Sequence, residues 1–126
     1  MNSFFTGRGR LADFLSSTKT ALSIVDTRIS KTTFACLQGV WKPIRLLIGQ
    51  REQDIIDGIG DGLRAFRAQG HEIEMRRHLK VNDRFLIFNG RCWMASCALA
   101  DVDQVTMSII ECRDTKSVVV KEIGRK

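Results

Sequence analysis

The sequence predicts an α/β fold with a mixed central sheet flanked by helices, and three observations predict it. Apolar runs of strand length alternate with helix-period segments as far as Gly70, and shorter strand-like runs follow. Asn89-Gly90 joins two of those later runs as a hairpin, because both residue types tolerate the positive φ of a type I′ turn. With 126 residues and 44% hydrophobic content, the chain is expected to form a single domain over residues 1–126.

Taken in order, Leu11 to Leu15 begins a short helix and Ala21 to Asp26 reads as a buried strand. Ser30 is placed to cap a helix from Lys31 to Leu37 that stops before Gly39. Ile44 to Ile48 is the next strand, just after Pro43, the only proline. From Glu52 to Gln69, Ile55, Ile56, Ile59, Leu63 and Phe66 recur at helical spacing; Gly58, Gly60 and Gly62 weaken that helix and Gly70 closes it. Strands are expected at His71–Met75, Arg84–Phe88, Arg91–Ala95 and Thr106–Cys112, and a closing helix over Thr115–Lys126. Residues before Leu11 receive no element. Trp41 and Trp93 are read as core or interface residues.

Composition narrows the function classes. No apolar run approaches membrane-spanning length and Met1 to Arg8 lacks the form of a secretion signal, so a cytoplasmic protein with no membrane partner is expected. Cys36, Cys92, Cys97 and Cys112 show no zinc-knuckle spacing and read as buried free thiols; neither metal nor cofactor is expected. Gly58-Ile59-Gly60-Asp61-Gly62 matches no phosphate-cradling loop. The net charge of +6 favours polyanionic partners, nucleic acid above all. Arg76, Arg77, Lys80, Arg84 and Arg91 fall close together in sequence, without the interleaved aromatics of a base-stacking surface. Sequence-independent contact with the nucleic-acid backbone is the expectation they carry.

Asn82 to Asp101 has the outline of a catalytic hairpin from which the catalytic side chains are missing: an apolar strand, a glycine turn, a second apolar run and a small-residue corner. That outline resembles the phospholipase D-like superfamily, in particular its small bacterial single-domain members, over about residues 18–126. The resemblance implies one half-unit of that fold, with its active site completed by a second half-unit, so a homodimer is implied here. In the family a histidine is the phosphodiester nucleophile, a cation two residues on holds the phosphate, and an acidic residue and a glycine-serine corner complete the site. Here Asn82 stands at the histidine position, Asp83 follows it, Arg84 matches the cation and Asn89 replaces the acidic residue. Ala98 falls at the serine position in the corner Ser96 to Asp101. Asparagine cannot form a phosphohistidine, so the resemblance implies no catalytic residue and an inactive domain in an accessory or regulatory role, as of a mobile element, phage or restriction-type system.

Two alternatives accompany this reading. One is a residual phosphodiesterase or nuclease using His78 or His71, although a His78-x-Lys80 register puts Phe85 where an acid is required. The other is a purely protein-binding inhibitor or heterodimer partner. Asp83 and Asp101 are candidates to neutralise the arginines. Asp26 is read as a turn or capping residue, with a place beside Arg84 as the alternative, since sites in open α/β sheets lie beyond strand C-termini.

Overall fold

The computed structural model describes residues 2–49, 59–78, 81 and 83–112. The first part of the expected Glu52–Gln69 helix, Lys80, Asn82 and the expected Thr115–Lys126 helix lie outside the described residues. Seven strands, three α-helices and a 3-10 turn are described: β1 (Asn2–Phe5), α1 (Arg8–Ser16), β2 (Leu22–Asp26), α2 (Lys31–Leu37), β3 (Ile44–Gly49), α3 (Ile59–Ala68), β4 (Ile73–His78), β5 (Phe85–Phe88), β6 (Arg91–Ala95), the 3-10 turn (Leu99–Asp101) and β7 (Met107–Glu111). The architecture is α/β, as expected.

The strands form one sheet in the order β1-β7-β6-β5-β2-β3-β4. β2, β3 and β4 run parallel, joined through α2 and α3; β5, β6, β7 and β1 continue the sheet antiparallel. Parallel neighbours require a crossover, whereas antiparallel neighbours need only a hairpin; the last crossover helix ends before Gly70, and β4 just beyond it is the last parallel strand.

Strand alternation divides the apolar side chains between two clusters. Leu22, Ile24, Ile44, Leu46, Leu86 and Trp93 share one cluster with Leu11 and Leu15 of α1, Phe34 and Leu37 of α2 and Phe66 of α3. Val25, Leu47, Val81, Phe85 and Cys92 make the second. Ser30 caps α2 as expected: its Oγ accepts from the Thr32 amide (3.2 Å), while Thr33 Oγ1 accepts from the Ser30 amide (3.1 Å). Asn89 and Gly90 sit at φ 54° and 72° and close the β5–β6 hairpin. Gly62 is explained by packing, since a Cβ there would stand 3.3 Å from the Phe34 ring.

The structure departs from the sequence reading in three places. β1 forms an edge strand on β7 from residues given no element, and its partner lies a hundred residues on, beyond the reach of any local pattern. β4 continues past Met75 to His78, because its pairing to Gly49 extends the ladder through charged residues. Of the two tryptophans read as core or interface residues, Trp93 is core, and Trp41, 66% exposed, is not.

Candidate functional site

The C-terminal ends of β2, β3 and β4 meet at one edge of the sheet, where register puts Asp26, Ile48 and Arg77 in a row. β5 enters beside β2 at the same edge, with Arg84 just ahead of the Phe85–Val25 pair, and β6 leaves there into the corner Ser96 to Asp101. The Ala95 amide donates to the Arg84 carbonyl (2.9 Å), tying corner and strand entry together.

Asp26 lies at the centre and is 1% exposed. Its Oδ1 accepts from the Thr27 amide at 2.7 Å and its Oδ2 from the Leu99 amide at 3.1 Å, so the carboxylate clamps the corner to the end of β2. Burial pushes its pKa from 3.8 up to about 6, against the opposing pull of the Leu99, Thr27 and Arg28 amides and of the Arg84 charge. Arg84 Nε donates to Thr27 Oγ1 (3.2 Å), and its two Nη groups have no partner among the described residues. Arg28 Nη1 donates to Asp101 Oδ1 at 2.6 Å, in a pair that is partly open to water. Cys97 stands in the fields of Asp101, Arg84 and Asp26, and burial raises its thiol, the opposite of what a thiolate nucleophile needs.

The residues singled out in sequence are thus only partly brought together. Arg84, Asp101, Ala98 and Ser96 belong to this edge; Ala98 is buried, and Ser96 Oγ accepts from the Ser108 amide (2.9 Å). Asp101 pairs with Arg28 and not with Arg84, while Asp83 is exposed. Arg77 shares the Asp26 row, two strands or about 10 Å away. Arg76 alternates onto the opposite sheet face, where Nε pairs with Glu74 Oε1 at 3.0 Å. Arg91 begins β6 at the hairpin end, opposite Phe88, and pairs there with Glu111 at 3.0 Å. Asn89 is also at that far end, where Oδ1 accepts from the Lys19 amide at 2.8 Å. The described arginines of that sequence stretch are therefore divided between two ends and two faces of the sheet.

The histidines are also remote. His78 ends β4, three strand spacings or about 14 Å across the sheet from β5. His71 lies before β4, at the opposite end of the parallel strands, and is 5% exposed. Asp26 and Arg28 are the functional candidates that sequence reasoning underused; the available signal was their position at the C-terminal end of a buried strand.

No protein-family profile matches the sequence, and no curated protein does. Solved structures match its fold. NucT from Helicobacter pylori superposes with a TM-score of 0.63 at 12% identity, over 98% of this chain and 92% of its own. TrmBL2, an archaeal chromatin protein, superposes with a TM-score of 0.57 at 11% identity, over 98% of this chain and 50% of its own. The chain thus spans half the length of the chromatin protein and nearly all of NucT. At such identities the likeness is one of fold.

Proposed function

We propose that this chain binds the phosphate backbone of nucleic acid at the sheet edge where Thr27, Arg28 and Arg84 converge, and that it holds the strand without cutting it. The observation that carries the reading is the state of Arg84: its Nε is oriented by Thr27, and among the described residues its Nη groups have no hydrogen-bond partner, so they are placed to meet an anion. Arg28 lies in reach of the same edge through an exchangeable surface pair with Asp101, and Arg77 extends the positive row. The fold is shared with NucT and with a chromatin protein whose structure concerns DNA binding, and the latter supports nucleic acid as the polyanion.

The covalent route of the phospholipase D-like family that this chain resembles uses an imidazole beside the phosphate clamp. Asn82 occupies the signature position in the sequence, His71 and His78 lie away from Arg84, and burial pushes the Cys97 thiol up, against a thiolate. The domain is then a phospholipase D-like unit retained for binding.

The test uses fluorescent duplex and single-stranded DNA, incubated without magnesium after binding is measured. Salt-sensitive binding that weakens about tenfold or more in Arg28→Gln/Arg84→Gln, with the DNA left intact, is the expected result. Cleavage by the wild-type protein overturns the inactive reading, and binding indifferent to both arginines overturns the site.

A further inference from the structure

A second arrangement lies at the opposite end of the same strands. Trp41, His71 and Phe66 form a three-ring stack: Trp41 to His71 has centroids 4.0 Å apart and planes 12° apart, and His71 to Phe66 has 3.9 Å and 8°. Phe66 anchors it in the core from α3. His71 is buried, and its Nδ1 donates to the Val40 carbonyl at 2.9 Å, which fixes the imidazole plane. Gly70, at φ 104°, turns the chain beneath the indole, which lies 3.9 Å from where a Cβ would be. The outermost ring of the stack is therefore held flat on one face while two thirds of the residue remains open to water.

An open groove of about 480 Å³ is lined by Pro43, Arg45, Arg67, Glu72, Glu74 and Arg76, among others, residues that adjoin the stack in sequence. Each aromatic of the stack is within two residues of a groove residue: Trp41 of Pro43, Phe66 of Arg67, His71 of Glu72. Three arginines face two glutamates there, and Glu74 is engaged by Arg76, so the lining is net positive. A pinned, outward-facing indole next to a basic groove has the two parts that sequence-tolerant single-strand binding needs, a π-face for a base and cations for the backbone.

We propose that Trp41 is a stacking platform for an unpaired base of single-stranded nucleic acid whose backbone lies in the Arg45–Arg67–Arg76 groove. The inference rests on the nucleic-acid reading for its ligand class. It does not rest on Arg28 or Arg84, which stand about five residue rises, roughly 17 Å, along the strands from the Trp41 end.

Trp93 is buried, so a change in tryptophan emission on ligand binding reports Trp41. Titration with oligothymidine is expected to quench the emission, and Trp41→Leu is expected to bind about tenfold more weakly with no quenching, while Trp41→Phe recovers most of the affinity. Circular dichroism and the remaining Trp93 emission verify that these variants fold. Quenching that persists in Arg28→Gln/Arg84→Gln while duplex binding is lost separates the two sites and keeps this one. Oligothymidine binding that leaves the wild-type emission unchanged overturns the proposal, as does equal affinity in a folded Trp41→Leu variant.

Discussion

The two ends of the parallel strands are built by opposite means. At the C-terminal end a buried carboxylate, Asp26, organises backbone amides and a corner, and the cations around it are held by hydrogen bonds. At the N-terminal end of β4 there is no such buried acid among the described residues; an aromatic stack rooted in Phe66 holds an exposed ring in place. Polar order at one end depends on pH and on salt, whereas stacking at the other depends on core packing. The same strands can carry two recognition surfaces because residues a few positions apart along a strand face different surroundings.

The comparison breaks most severely at Phe66. Phe66→Ala is expected to cost about 3–5 kcal/mol in urea denaturation, since it removes a fully buried ring, and to free the Trp41 emission. If the variant is as stable as wild type, the stack is not rooted in the core.

Next comes Asp26. Its folded pKa of about 6 lies above the ordinary 3.8, so its protonated form favours folding; that contribution is present in full below about pH 4 and is lost as pH rises through 6. Relative to Asp26→Asn, the wild type is expected to lose about 3 kcal/mol between pH 3.5 and 7.5. Subtracting the two stability profiles cancels the other carboxylates, and a flat difference would contradict the buried-acid account.

A smaller effect tests the hairpin end. Asn89→Ala loses both tolerance of positive φ and the acceptor for the Lys19 amide, so about 1–2 kcal/mol is expected. Asn89→Asp keeps the acceptor and is expected to change stability by less than about 0.5 kcal/mol and leave DNA affinity unaltered. A large gain or loss of affinity in that variant would return position 89 to the site.

Much of the framework was legible in the sequence because it is written locally. Ser30 before an apolar helix, Asn89-Gly90 between two apolar runs and the change of period at Gly70 each act within a few residues. What was not legible depends on rows and partners. Arg84 and Arg91 are seven positions apart yet at opposite ends of the β5–β6 hairpin, because a hairpin returns the chain to where it began only after both strands are traversed. Trp41, Phe66 and His71 form no interleaved pattern because three separate segments contribute one ring each. The β1 strand was missed for the same reason, its pairing being wholly non-local. Asp26 was visible at a strand end, but its burial and its hold on the Leu99 amide come from a corner 73 residues later.

The most direct test of the central claim is the salt dependence of DNA binding for wild type, Arg28→Gln/Arg84→Gln and Arg91→Gln. Each phosphate contact contributes about 0.9 to the slope of log affinity against log salt. The account predicts that the double variant lowers the slope by nearly two while Arg91→Gln leaves it unchanged. A double variant with the wild-type slope, or an Arg91→Gln variant that loses as much, would contradict it.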